Sequence, residues 1–183
     1  MFRIGPKLGD AAASALLLAV LALASAFFAS EAARAGGACA FVANDRDPSA
    51  KILQCGQELT VRPAHGARFR AIYTKGQALP SAIRLDSGAV LIDDHLKSDA
   101  QFQILTPLAI AAVRGTRWAM EVAPAKTSTL VLSGVVAVTN RRLNQYVVLT
   151  DGEGVDITPT DTSMAQKRWG EARVRALMAR FGE

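Results

Sequence analysis

The chain has few of the residues from which active sites are built. Its 183 residues include only two histidines and two cysteines. A metal enzyme built on a β-sheet takes several histidines from neighbouring strands, and this chain cannot supply them. The motifs of serine hydrolases, zinc peptidases, P-loops and dinucleotide-binding folds are also missing. We therefore predict that the chain is not an enzyme and has no catalytic residue, metal site or cofactor.

Aromatic residues and net charge are low as well. Phe, Trp and Tyr make up 6% of the chain, and the formal charge is +5. This excess is mostly C-terminal and too small to indicate a nucleic-acid partner. Four polar aromatic side chains could serve as stacking platforms for a glycan, and they are Tyr73, Trp118, Tyr146 and Trp169.

One uncharged stretch, residues 11–30, follows the basic Arg3 and Lys7 and precedes Ala33-Arg34-Ala35. This order is typical of a secretory signal, so residues 1–35 are predicted to be removed after Ala35. The stretch could also just span a bilayer as an uncleaved anchor, and a membrane contact is then expected through this N-terminal segment. In both cases the remainder is exported. In a Gram-negative bacterium it would be periplasmic, or anchored in the inner membrane and facing the periplasm.

The two cysteines, Cys39 and Cys55, lie in the part predicted to be exported. An exported pair is typical of a disulfide, which would tie the N-terminus of the domain to its first strand. Two free buried thiols and a catalytic cysteine are the alternatives.

Between residues 51 and 157, short apolar runs are separated by turn residues about every ten positions. Apolar and polar residues alternate at 101–104 and 117–122, which predicts strands with one buried face. The continuous runs at 130–138 and 146–149 predict strands buried on both faces. Asp93-Asp94-His95 is interpreted as a polar turn rather than a metal site. The pattern is all-β.

Four motifs follow one another in this stretch. They are Thr106-Pro107, Val113-Arg114-Gly115-Thr116, Gly134-Val135-Val136 and Leu149-Thr150-Asp151-Gly152. Their order resembles the FecR domain, over about residues 50–157. The resemblance implies a β-solenoid or rolled β-sandwich for residues 36–157, with a jelly-roll as the alternative. It also implies structural roles for Thr106, Pro107, Gly115, Thr116, Gly134 and Gly152. Arg114 is interpreted as the anchor of a turn, with an anion or partner contact as the alternative.

Residues 158–183 have a different pattern, which predicts a linker followed by a helix over 163–180. Val174, Leu177, Met178 and Phe181 would form one apolar stripe. We expect the stripe to pack on an open end of the β domain, although the helix could also bind an acidic partner or anionic lipid. The candidate partner surface consists of the basic residues Arg168, Arg173, Arg175 and Arg180.

The resemblance also implies a function. The best-known FecR proteins regulate iron uptake: a cytoplasmic anti-sigma region precedes the membrane span, and the periplasmic half receives a signal from an outer-membrane receptor. Here only about ten residues precede the hydrophobic stretch. We therefore expect an exported, non-catalytic binding or adaptor module in envelope signalling, with a receptor or membrane regulator as partner. The alternative is a structural module that binds an envelope glycan or other polymer.

Overall fold

The computed structural model describes residues 39–96, 102–113 and 115–183. The signal or anchor predicted for residues 1–35 and the site predicted at Arg114 lie outside this part of the chain. No helix in it is long and apolar enough to cross a membrane. The strands and the helix are β1 (Cys39–Val42), β2 (Ile52–Cys55), β3 (Leu59–Pro63), β4 (Arg68–Ile72), β5 (Ala82–Asp94), β6 (Phe102–Leu105), β7 (Ala109–Val113), β8 (Arg117–Ala123), β9 (Lys126–Ser133), β10 (Val136–Asn140), β11 (Gln145–Leu149), β12 (Glu153–Ile157), β13 (Gln166–Arg168) and α1 (Glu171–Ala179).

The strands form two sheets that share β5. Sheet A has the order β1-β2-β3-β5-β8-β9-β12-β13, and sheet B has the order β4-β5-β6-β7-β10-β11. All neighbouring strands are antiparallel except β5 and β6. The prediction of an all-β fold is confirmed, and the two sheets that share β5 are consistent with a rolled β-sandwich.

Gly88 is the residue at which β5 passes from one sheet to the other. Residues up to Ser87 pair with β4, whereas Gly88 and the residues after it pair with β8. Gly88 has a φ of 85°, a conformation that side chains with a Cβ rarely adopt. A Cβ at this position would lie 2.6 Å from the Cα of Ala67. Glycine thus permits both the bend and the close approach of the chain before β4.

The main core lies between the two sheets. It combines inward-facing residues of both, and the largest fully buried side chains include Trp118, Phe102, Leu53, Leu59, Ile83 and Met120. A second, smaller core lies on the outer face of sheet A. There Trp169, Leu177, Met178 and Phe181 pack with Leu91, Ala119 and Leu130. The C-terminal segment therefore covers the outer face of sheet A at β5, β8 and β9.

The structure corrects the prediction for this C-terminal segment. Residues 166–168 form β13, which pairs with β12 from Glu153↔Arg168 to Val155↔Gln166. Gly170 then caps a helix that begins at Glu171, eight residues later than predicted. Pairing with a sheet edge outweighs helix propensity here, because propensity is the weaker effect once tertiary contacts are available. The stripe also packs on the face of sheet A rather than on an open end.

The disulfide between Cys39 and Cys55 is confirmed. The two cysteines face each other across β1 and β2, with their Cα atoms 4.0 Å apart. The bond closes a sequence separation of 16 residues and fixes β1 at the edge of sheet A. Neither thiol remains free to act as a nucleophile.

Replacing both cysteines with serine should lower the free energy of unfolding by about 3 kcal/mol, since the unfolded chain regains the entropy of the closed loop. Chemical denaturation of the purified protein measures this loss. Wild-type protein treated with a reductant is the control and should show a similar loss. An unchanged free energy of unfolding in both samples would contradict the stabilising role of the bond.

Candidate functional site

The Thr106-Pro107 motif holds the turn between β6 and β7. Thr106 is buried, and its Oγ1 accepts a hydrogen bond from the backbone N–H of Ala109 at 2.9 Å. The backbone N–H of Thr106 donates to the carbonyl oxygen of Ala109, also at 2.9 Å. Pro107 is exposed beside these contacts, and Arg141 Nη1 donates to the carbonyl oxygen of Thr106 at 3.0 Å. Thr106 thus stabilises a tight turn, and Pro107 lies exposed on the surface of that turn.

The Gly115-Thr116 and Gly134 motifs meet at a chain crossing. Thr116 Oγ1 donates to the carbonyl oxygen of Val135 at 3.1 Å. Gly115 and Gly134 both have positive φ, at 62° and 101°. A Cβ at position 134 would lie 3.0 Å from the carbonyl oxygen of Gly115 and from Thr116 Oγ1. The glycine at 134 is therefore needed for close packing against the loop that follows β7.

The Leu-x-x-Gly motif connects this crossing to the C-terminal segment. Asp151 Oδ1 accepts a hydrogen bond from the backbone N–H of Gly134 at 2.7 Å. Gly152 donates its N–H to the carbonyl oxygen of Val131 and accepts from the N–H of Trp169 at 3.0 Å. The described residues of the four motifs thus position turns and strand ends.

The acidic run at the end of β5 does not assemble a metal site. Asp93 forms an ion pair with Arg117, at 3.1 Å between Oδ1 and Nε. Asp94 is buried and accepts a hydrogen bond from the N–H of Leu96 at 2.8 Å. Burial raises the pKa of Asp94, and backbone N–H donors, including that of Gly115, offset this only in part. In the described ranges, no group of three or more His, Cys, Asp or Glu could hold a metal.

Asp47, Ser49 and His65 form a cluster that was not predicted from the sequence, because His65 lies 16 and 18 residues from the other two. His65 Nδ1 lies 3.1 Å from Ser49 Oγ and 3.2 Å from Asp47 Oδ2. The serine hydroxyl itself donates to Asp47 Oδ1 at 2.6 Å. In a catalytic triad, serine and aspartate contact opposite ring nitrogens of the histidine. Here both contact Nδ1, so the cluster orders a loop and is not arranged for proton relay.

Two of the four predicted surface arginines form partly exposed ion pairs within the chain. Arg173 forms a two-point ion pair with Asp156, with Nη2 2.5 Å from Oδ1, and its guanidinium lies 3.3 Å from the centre of the Trp169 ring. Arg180 pairs with Glu121. Arg168 is exposed and lies against Gly152, and Arg175, which pairs with Glu171, has a side chain that is 72% exposed. The helix is therefore held by ionic contacts as well as by its apolar stripe.

The Arg173–Asp156 pair makes the stability depend on pH. Burial raises the pKa of Asp156, but hydrogen bonds from Arg173 and Ser128 outweigh it, so the pKa lies below its ordinary 3.8. The unfolded chain thus binds the proton more readily than the folded chain does. The pair stabilises fully above the ordinary pKa, and this contribution is lost as the pH falls through the lowered one.

Asp156→Asn should therefore lower the free energy of unfolding by about 1–2 kcal/mol at neutral pH. The difference from wild type should shrink towards zero as the pH falls below the ordinary pKa of an aspartate. Denaturation at a series of pH values measures it. Glu171→Gln, which removes a fully exposed ion pair, is the matched control and should have almost no effect. A constant difference at all pH values would contradict this account.

The outer face of sheet B contrasts with that of sheet A. One row of directly paired residues crosses it, in the order Tyr146, Thr139, Ile110, Leu105, Arg84 and Arg70. The adjacent row contains Val148, Ala137 and Ala112. The residues of both rows on β6, β7, β10 and β11 are half-buried or exposed, and we call them the open face. The one described helix packs on sheet A instead.

The structure corrects the prediction for residues 146–149. Both faces of this strand were expected to be buried, but Tyr146 is 70% exposed and Val148 is 44% exposed. The strand is β11, the last strand of sheet B, and only Val147 and Leu149 point into the core. An apolar run can therefore mark an exposed edge as well as a buried strand.

Two shallow grooves adjoin the open face and share Pro107 and Leu108. One is lined by Asn140, Arg141, Arg142, Thr158 and Pro159 as well, and has a volume of about 360 Å³. The other is lined by Arg68, Asp86 and Ser87 together with residues of β8 and β9. Arg142 also donates to the carbonyl oxygen of Asp161. Arginines thus stand on both sides of the motif proline.

Comparisons with known proteins agree with this description. The family model for FecR protein matches residues 57–137, which run from before β3 into β10 and include the first three motifs. No match was found among curated proteins.

Two crystal structures of proposed anti-sigma factors from Parabacteroides distasonis ATCC 8503 have a similar fold. One has a TM-score of 0.58 at 14% sequence identity and covers 76% of this chain and 63% of its own. The other has a TM-score of 0.56 at 15% identity and covers 70% of this chain and 60% of its own. The chain thus spans less than two thirds of the length of either protein, and likeness at this identity concerns the fold alone. Residues 57–137, which contain the first three of the motifs described above, are thus similar in sequence to the FecR domain.

Proposed function

We propose that this protein is an exported, non-catalytic binding module of the bacterial envelope that takes part in signal sensing. The FecR domain supports a regulatory role, and the open face supports binding. Large apolar side chains on a sheet face favour contact with a partner, because such patches are otherwise costly to leave in water. The disulfide supports an oxidising compartment, which agrees with export to the periplasm.

The side chains of the open face indicate which chemical groups a partner would need. Its centre, formed by Leu105 and Ile110, is apolar, and the same row continues into Arg84 and Arg70. Arg84 is half-exposed and forms an ion pair with Asp86, at 3.0 Å between Nε and Oδ1. A partner segment with apolar side chains and a neighbouring carboxylate would fit this row. We therefore propose a protein partner, namely a receptor or membrane regulator of the envelope.

Capture from intact cells tests this proposal. Cells expressing the full chain with a C-terminal tag would be treated with a crosslinker, and the material that co-purifies would be identified. Ile110→Lys places a charge at the centre of the open face, while Gln54→Lys places one on an exposed part of sheet A. We expect one envelope protein to be captured by wild type and by Gln54→Lys, and to be lost with Ile110→Lys. Equal capture by all three would contradict binding at the open face.

A glycan or other envelope polymer is the second candidate partner, and the exposure of Tyr146 favours it. A tyrosine that is 70% exposed can stack on a sugar ring, and Tyr73 is 50% exposed. Recovery of polymer, lost with Tyr146→Ala but retained with Tyr146→Phe, would support this candidate. Recovery of a single protein, unaffected by Tyr146→Ala, would exclude it.

The basic surface predicted on the C-terminal segment stays a prediction. Arg173 and Arg180 also hold the helix, so their removal would change both stability and binding. Arg175 is the cleaner probe because its side chain is 72% exposed. Loss of the captured protein with Arg175→Ala, at unchanged stability, would place the partner on the helix instead of the open face.

A further inference from the structure

β11 is an edge strand whose outer side no described strand occupies. On its inner side it pairs with β10, from Val136↔Leu149 to Asn140↔Gln145. The order of sheet B ends there. An edge strand presents free backbone N–H and carbonyl groups, which can pair with a further strand.

This edge lacks the features that usually prevent such pairing. Gln145–Leu149 contains no charged residue and no proline, and its outward side chains are the exposed Tyr146 and Val148. The edge strands β4 and β13 differ, because they carry Arg68 and Arg70, and Lys167 and Arg168. Charged side chains on an edge disfavour the addition of a strand. The uncharged edges among the described strands are then β11 and β1 (Cys39–Val42), and β11 is the longer of the two, with five residues against four.

The charged residues at the two ends of β11 favour a second copy of this chain as the strand that pairs with its free edge. Arg141 and Arg142 precede the strand in an exposed loop, whereas Asp151 and Glu153 follow it. Two copies paired antiparallel about Val147 would place the arginine loop of each beside the acidic turn of the other. The same register sets Tyr146 against Val148 of the second copy, and aromatic and β-branched residues pair well across strands. The segment is thus complementary to itself.

We propose that this protein forms a two-fold symmetric dimer through antiparallel pairing of β11 with β11 of a second copy. The dimer joins the two sheets B edge to edge and makes the two open faces continuous. Five residues from each copy form a small interface, below the roughly 1,200 Å² of a stable complex, so the dimer dissociates on dilution. This inference does not depend on the proposed function.

A charge-exchange experiment tests the pairing. Protein would be purified from cells expressing the full chain, and its dissociation constant measured by analytical ultracentrifugation over a concentration series. Tyr146→Lys with Val148→Lys sets lysines opposite each other, and should raise the constant at least about tenfold. Tyr146→Glu with Val148→Glu should do the same. A mixture of the two variants should dimerise again. The substituted side chains are exposed, so thermal unfolding should show that all of these proteins remain folded.

Two further measurements complete the test. Tyr73→Lys with Gln54→Lys adds the same charge away from β11 and should leave the dimer intact. A mixture of Tyr146→Cys and Val148→Cys chains should form an intermolecular disulfide, whereas either alone should form far less. The proposal is overturned if wild type is monomeric at every concentration, or if the lysine variant dimerises as wild type does. It is also overturned if β11 crosslinks in cells to a strand of a different protein.

Discussion

Replacing Gly88 with valine should lower the free energy of unfolding by about 4 kcal/mol. Two effects combine. The backbone at a φ of 85° is strained for any residue with a Cβ. The added side chain would also collide with the Cα of Ala67, and backbone cannot move aside as a flexible side chain can. Because small domains are stable by only about 5–15 kcal/mol, much of the variant should be unfolded or insoluble.

Gly76→Ala is the matched control, and chemical denaturation is the measurement. Gly76 has nearly the same φ, 83°, but a Cβ there would have no atom within 4 Å. It should lose only the cost of the strained backbone, about 1 kcal/mol. A Gly88→Val protein no less stable than Gly76→Ala would contradict the requirement for glycine at this bend.

Replacing Trp169 with alanine should release the C-terminal segment from sheet A. The indole is buried against Gly154, where a Cβ would overlap it, and it supports the guanidinium of Arg173. Loss of a large buried aromatic typically costs about 3–5 kcal/mol. Leu130 and the other apolar residues beneath the helix would become exposed. We expect a lower free energy of unfolding and rapid cleavage of the segment by trypsin at its arginines.

Tyr73→Ala is the control for this change, because Tyr73 is an aromatic residue that is half exposed. It should alter the free energy of unfolding by less than about 0.5 kcal/mol and leave trypsin cleavage as in wild type. A Trp169→Ala protein that unfolds as wild type does and resists trypsin would show that the helix does not depend on the indole. Leu177 and Met178 would then suffice to hold it.

The similarity to the FecR domain and the strand-rich fold could be predicted from the sequence because turn signals are local. Gly88, Gly115, Gly134 and Gly152 all have positive φ, and glycine marks such positions whatever lies around them. The disulfide could also be predicted, since the chain has only two cysteines and both lie in the part predicted to be exported.

The position of each strand in its sheet could not be predicted, and this is why both faces of β11 were expected to be buried. The residues of β11 resemble those of a buried strand, and only long-range pairing decides that its neighbour lies on one side alone. The open face could not be predicted for the same reason, because Leu105 and Ile110 are as apolar as the core residues beside them. Likewise, β13 was missed since its three polar residues form a strand only where β12 offers a partner.

Site-specific photocrosslinking at position 110 in intact cells tests the central claim, that the open face binds an envelope protein, most directly. A photoreactive residue would replace Ile110 in the full chain, and the same residue at Gln54 would serve as the reference. The account predicts one discrete protein adduct from position 110 and none from position 54. Adducts of the same protein from both positions, or none from either while the chain remains folded, would contradict it.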